Sequence, residues 1–457
     1  AAEAFLIAFS LPNIFRRVFA EGAFNMAFVP MFAKKLEGGE DARGFARDAF
    51  SGLAAVLVVF TLVGTLAMPW LVWAMAAGFA GDARFGLAVD YGRIAFVYIL
   101  FISLVALLSG VLNTFGRFTE ASVVPVLMNL MFIAAMLVAD ARGWDQGLTL
   151  AWTVPVTGLA QFAFTWAMAA RAGFSLWPRR PRLTPELRRL AVIAAPAVLA
   201  GGVVQVNLLV GRQVASFTEG AVARLSYADR LYQLPLGVVG VAIGTVLLPD
   251  LARRLRAEDA EGGRWAFSRG AEFGLALTLP AAVALVVIAH PLIAVLFERG
   301  AFTPADTAAT ALALAIYGAG LPAFVLQKVW QPLYYAREDT RRPLNYALTG
   351  FAAAALATTV AGWVMLAQLM WGVRRLGPVA RADDRLRARL PRIAAASAVM
   401  GAALWATALP LAPMLAAPGL RYGALGLLIA VGIVTYFGAG ALIGAFRLAD
   451  FRALRRR

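Results

Sequence analysis

Apolar residues gather along this chain into long runs near 4–32, 50–78, 88–114, 121–140, 147–170, 189–214, 220–249, 270–297, 305–335, 343–373, 393–414 and 420–446. Each run is about the 20 residues that a helix needs to cross the hydrocarbon core, or longer. An open strand edge would leave backbone groups unsatisfied in lipid, so the twelve runs predict helices. The polar segments between them are short and leave no room for an appended soluble domain.

Composition agrees. Of the 457 residues, 61% are hydrophobic and 15% charged, and the mean hydropathy is +0.74. No water-soluble fold hides that much apolar surface, so the chain is expected to be an all-α polytopic membrane protein. The absence of Cys excludes disulfides, thiolate metal sites and Cys nucleophiles. A single histidine, His290, argues against a His-based metal centre or catalytic triad. No metal and no cofactor is expected.

A net charge of +16 would suggest nucleic acid in a soluble chain. Here placement decides otherwise. Segments 33–49, 115–120, 171–189, 250–269, 336–342, 374–392 and 447–457 hold 31 of the 42 Lys and Arg residues. The opposite loops hold only Arg84, Arg142, Arg212, Arg224, Arg299 and Arg421. The positive-inside rule puts the seven segments, and with them the C-terminus, in the cytoplasm. The basic excess is topological, and no nucleic-acid partner is expected.

Two parity defects follow. Residue 1 falls outside, so at least one further crossing is expected upstream, with a cleaved signal peptide as the rival reading. Segments 336–342 and 374–392 are both cytoplasmic, so 343–373 should cross an even number of times. Its length is too short for two full helices and a turn. Either residues are absent from its middle, the favoured reading, or it is a re-entrant hairpin. Restoring both crossings turns the twelve visible blocks into fourteen helices.

An internal echo indicates duplication. Leu11-Pro12, Val29-Pro30 and Lys34-Lys35 in the first block match Leu234-Pro235, Leu248-Pro249 and Arg253-Arg254 in the seventh. Both blocks run outside to inside, so the repeats are parallel. The expected organisation is an N-terminal lobe at 1–180 lacking its first helix and a C-terminal lobe at 181–380 lacking part of 343–373. Two extra transmembrane helices follow at 381–457.

Five basic residues remain inside the blocks: Arg16, Arg17, Arg93, Arg230 and Lys328. Such charges are expensive in lipid and should face protein or water. Arg93 and Lys328 lie near block ends, where they can snorkel. Asn13, Arg17 and Glu21 are spaced i, i+4, i+8, so Glu21 can pair with Arg17. Arg16 has no acidic partner along its helix. Asp229 and Arg230 point about 100° apart. At two equivalent places an arginine is thus incompletely matched, and guanidinium forks suit a pyrophosphate. The competing explanation is a structural ion-pair network involving Glu3 or Asp229. Pro12 and Pro235 each remove a helical hydrogen bond near these charges, which suits an alternating-access carrier.

Catalytic motifs are sparse: HExxH, GxSxG and Walker A are all absent, so no enzyme is expected. Asp383-Asp384 could hint at a metal, but among Arg381, Arg385 and Arg387 they read better as a solvated charge cluster.

The stretch EAFLIAFSLPNIFRRVFAEGAFNMAFVP from Glu3 resembles the lipid II flippase family of the multidrug/oligosaccharidyl-lipid/polysaccharide exporter superfamily. So do SYADRLYQLPLGVVGVAIGTVLLPDL at 226–251, PLIAVLFERGAFTPAD at 291–306 and LYYAREDTRRP at 333–343. The resemblance implies two six-helix lobes in parallel repeat plus two C-terminal helices, in the bacterial inner membrane. It implies carriage of undecaprenyl-pyrophosphate-linked peptidoglycan precursor from the cytoplasmic to the periplasmic leaflet. The alternative is another lipid-linked oligosaccharide, or cationic drugs. The family's cavity arginines fall on Arg16 and Arg230, with Asn13 and Glu3 beside them and Arg17, Glu21, Asp229, Pro12 and Pro235 in support. Glu3 stands where the family more often has Asp. Membrane lipid and cell-wall synthases are the other expected partners, and the coupling ion is open.

Overall fold

The computed structural model describes residues 1–16, 24–174, 176–177, 179–242, 250–251, 253–254, 257, 259–335, 342, 345–346, 358–373, 379 and 381–445. Helices occupy each of the twelve apolar blocks, and no strand occurs among the described residues. Eight of the described helices are long and apolar enough to cross a membrane. The chain divides into two compact units, Ala1–Ala223 and Arg224–Arg457. The doubled crossing expected within 343–373 falls largely on residues outside the description; Thr358–Val373 is one helix.

The first unit contains α1 (Ala2–Arg16), α2 (Phe24–Glu37), α3 (Ala42–Leu66), α4 (Met68–Ala76), α5 (Ala83–Phe96), α6 (Tyr98–Thr114), α7 (Phe118–Arg142), α8 (Gln146–Arg171) and α9 (Pro185–Ser216). It also holds the start of α10 (Ala221–Ala242). In lipid there is little hydrophobic drive between helices, so close backbone approach and internal hydrogen bonds do the joining. Gly158 of α8 supplies the approach, because a Cβ there would lie 2.7 Å from the Tyr98 ring. Thr153, Thr157, Gln161 and Thr165 form a buried stripe at intervals of four on α8. Within it the Gln161 amide donates to the Val124 carbonyl at 2.7 Å, and the Tyr98 hydroxyl donates to Gln161 at 3.3 Å.

The basic segment after α8 is strapped to the start of α3. Arg179 pairs with Asp48 through Nε at 2.6 Å, and its amide donates to the Ser51 hydroxyl at 3.0 Å. Arg43 and Arg47 reach the Gly173 and Trp177 carbonyls.

The second unit holds most of α10, then α11 (Ala260–Val287), α12 (Ala289–Phe297), α13 (Pro304–Tyr335), α14 (Thr358–Val373), α15 (Asp384–Ala416) and α16 (Arg421–Leu442). α11 packs along α13 and α15, α13 along α14, and α15 along α16. Gln327 donates to the Gly362 carbonyl at 2.7 Å and Tyr334 to the Leu369 carbonyl at 2.8 Å, joining α13 to α14.

The units share a detail beyond the proline echo. α3 breaks at Ala67 and α11 at Ile288, and each is followed by a helix of nine residues. Pro69 and Pro291 stand just after the breaks, where a missing N–H cannot continue the preceding ladder.

Pro280 has a similar consequence inside α11, where the Ala276 carbonyl loses its intrahelical donor. Tyr436 of α16 replaces it, donating through its hydroxyl at 2.5 Å. Tyr436→Phe keeps the ring and orphans that carbonyl. It is expected to lower stability by about 1–2 kcal/mol, seen as a lower thermal midpoint in detergent. An unchanged midpoint would mean that the bond contributes nothing.

Candidate functional site

Arg16 lies in the last turn of α1 and is half-buried. Its Nε donates to Asn13 Oδ1 at 3.2 Å, and the Asn13 amide donates to the Phe9 carbonyl at 2.9 Å. Asn13 thus holds one edge of the guanidinium from the preceding turn. Pro12 is buried beside them. Arg17 and Glu21, expected to pair, lie outside the described residues.

Glu3 is buried in the first turn of α1. Its carboxylate meets Arg84 Nη1 at 2.8 Å and accepts from the amides of Val222 at 3.0 Å and Ala223 at 3.4 Å. Glu3 therefore ties α1 to α5 and to the first turn of α10, where a carboxylate also suits the helix dipole. Arg84 in turn meets Asp82 at 2.5 Å and lies 4.4 Å over the Phe79 ring. The Arg84 amide, and then its guanidinium, hold the Asp82 carboxyl below the usual carboxylate range. Sequence reasoning counted Arg84 only as an outer-loop charge, since its partner lies 81 positions away.

On α10, Tyr232 turns into the second unit and is buried against the rings of Tyr317 and Phe324. Asp229 is half-buried and accepts from the Gln233 amide one turn on. Arg230 points elsewhere. It is exposed and makes no hydrogen bond or ion pair with any described residue. Leu234 and Val238, at 66% and 69% exposure, continue its face. Half-buried Pro235 lies between them in the helix. Of the other intramembrane cations, Arg93 stands 4.0 Å from Asp90, and Lys328 is exposed.

The acidic pair at 383–384 divides. Asp383 caps α15 through the Leu386 amide at 2.7 Å and pairs with Arg269 at 2.5 Å. Asp384 is solvated, with Arg387 4.0 Å away. Asp383 is thus part of a built network, contrary to the expectation of a solvated cluster, because α15 starts against α11. At the centre of that network is Glu272 of α11, buried and not foreseen. It meets Arg269, Arg385 at 3.3 Å and buried Arg389 at 2.6 Å. Among the described residues no three His, Cys, Asp or Glu side chains gather as a metal site.

The family model described as "Lipid II flippase MurJ" matches residues 1–414. A probable lipid II flippase MurJ of Rhizobium meliloti (strain 1021) is 45% identical, over 99% of this chain and 89% of its own. That alignment runs over 481 positions against 457 residues here, so at least 24 of its positions stand opposite gaps in this chain. The lipid II flippase MurJ of Burkholderia cenocepacia is 34% identical, over 98% of this chain and 92% of its own. Among solved structures, "Lipid II flippase MurJ, inward closed conformation" superposes with a TM-score of 0.78 at 23% identity. It covers 96% of this chain and 92% of that one. An inward-facing multidrug resistance MATE transporter of the MOP superfamily gives 0.64 at 13% identity, over 82% and 90% of the two chains. At those identities both likenesses concern the fold.

Proposed function

The chain belongs to the lipid II flippase MurJ family, and from that premise we propose that Arg16 and Arg230 grip the pyrophosphate of the lipid during transport. The protein is a lipid II flippase, a multi-pass protein of the bacterial inner membrane. It carries the precursor outward by alternating access, with its C-terminus in the cytoplasm. The observation that carries the role of Arg230 is its guanidinium, exposed on a membrane helix and unpaired among the described residues. A planar fork of donors without an internal counter-charge suits a phosphate that arrives and leaves. Arg16 is presented differently, with one edge held by Asn13. Glu3 supports the site by holding Arg84 and the start of α10.

The alternative cargo within the superfamily, a cationic drug, would need an unmatched buried carboxylate. Glu3, Asp48 and Glu272 are the buried acids among the described residues, and each already meets an arginine. The balance favours an anion.

Without an ATP-binding loop in the sequence, the drive is a gradient or substrate consumption. One charge crossing the full potential is worth about 2.3 kcal/mol per 100 mV. An inside-negative potential favours outward passage of a pyrophosphate. Collapsing the potential at fixed pH gradient is expected to slow arrival of lipid II in the outer leaflet. An unchanged rate would leave consumption of the precursor as the drive.

A further inference from the structure

α15 and α16 repeat the order and spacing of α9 and α10 along the chain. α9 and α15 have 32 and 33 residues. The starts of α9 and α15 are separated by 199 residues (185 to 384), and those of α10 and α16 by 200 residues (221 to 421). Thr184 and Asp383 cap the first helix of each pair by accepting from the amide three residues on. The buried faces keep register. Leu190 and Ala194 correspond to Arg389 and Ile393, and Ala228 and Tyr232 to Leu428 and Gly432; all eight are buried.

The copies differ in two ways. First, the polar positions Asp229, Arg230 and Gln233 become Ile429, Ala430 and Ile433. The later pair has lost the charges that suit it to an anion, and Ile429 and Ile433 are exposed. Second, α9 belongs to the first unit while α10 runs on into the second, whereas α15 and α16 both belong to the second. There they pack on each other so closely that a Cβ at Gly432 would lie 3.0 Å from Leu404.

The α15–α16 pair is also pinned to α11–α12 at three levels. At the cytoplasmic end Glu272 takes Arg385 and Arg389, while Arg264 donates to the Arg381 and Ala382 carbonyls. About one turn deeper Tyr436 meets the Ala276 carbonyl. At the opposite end Arg299 donates to the Tyr422 hydroxyl at 3.2 Å and Arg421 to the Glu298 carbonyl at 3.4 Å. A helix pair free to slide or swing against its neighbour would break several of these charge-assisted bonds at once.

We infer that α15–α16 is a charge-stripped second copy of the α9–α10 pair, locked to α11–α12 so that all four helices move as one body during the transport cycle. The second half of this inference rests on the flippase reading.

The absence of native Cys allows a direct test in the full chain. A Cβ at Gly401 of α15 would lie 2.6 Å from Val283 of α11, so Val283→Cys with Gly401→Cys can be bridged by oxidation. In proteoliposomes the bridge is expected to form both with and without lipid II. Translocation should then remain within about twofold of the reduced protein, since no gating motion is blocked. A fall of about tenfold or more, reversed by a reductant, would overturn the inference. So would failure to bridge in a variant that keeps the parent's thermal midpoint. If the cysteine-free parent moves no lipid II at all, the flippase reading fails. Bridge formation that depends on added lipid II would overturn the locked pair.

Discussion

Replacing Arg230 with alanine is expected to abolish lipid II translocation while leaving insertion and thermal stability near those of the parent. The two halves of that expectation have separate causes. Arg230 is exposed and makes no bond to a described residue, so its removal breaks nothing within the fold. Surface substitutions of that kind usually stay within about 0.5 kcal/mol. To a pyrophosphate the same side chain offers charge-assisted, forked bonds, each worth about 1.5–3 kcal/mol. Losing two of them would slow translocation by roughly two to four orders of magnitude. Arg230→Lys keeps the charge but not the fork, and should recover only part of the rate. Arg16→Ala should behave alike, with a small stability loss because the bond to Asn13 goes as well. The measurements are translocation in proteoliposomes, complementation of growth, and the thermal midpoint of each variant. Full complementation by both alanine variants would remove these arginines from the substrate site.

The membrane spans were legible because a bilayer imposes a length of apolar sequence that no neighbour can disguise. The breaks at Ala67 and Ile288 were not legible from hydropathy, because apolarity runs straight through them and only Pro69 and Pro291 mark them. Pairings were a different matter. Arg84 and Glu3 stand 81 positions apart in the sequence, and only packing of α1 on α5 brings them together. Periodicity within one helix cannot show a partner on another. Glu272 left a trace, an acid alone near the start of an apolar run, but that run contains no cation to call attention to it. Its partners Arg385 and Arg389 look like ordinary cytoplasmic charges until α15 is laid along α11. The proposed Arg17–Glu21 pair, by contrast, was readable from local spacing but lies outside the described residues.

Glu272 carries the prediction with the largest effect on stability. Arg389 is buried, and its Nη1 lies 2.6 Å from the Glu272 carboxylate. Arg269 donates to Glu272 and Asp383, and Arg385 approaches Glu272 at 3.3 Å. Glu272→Ala would leave three guanidinium groups converging on a space without its carboxylate. Arg385, at 44% side-chain exposure, can turn to solvent and adds little. Arg389 is buried and would lose the carboxylate 2.6 Å from its Nη1, and removing one partner of a buried ion pair typically costs about 3–5 kcal/mol. A large drop in thermal midpoint is therefore expected. Glu272→Gln, which keeps an acceptor, should lose less, and Glu272→Leu combined with Arg389→Met should recover much of the loss by removing both buried charges. Translocation per folded molecule should stay normal throughout, the reverse of the Arg230 pattern. Lost translocation at an unchanged midpoint in Glu272→Ala would move this carboxylate from the structural joint into the transport cycle.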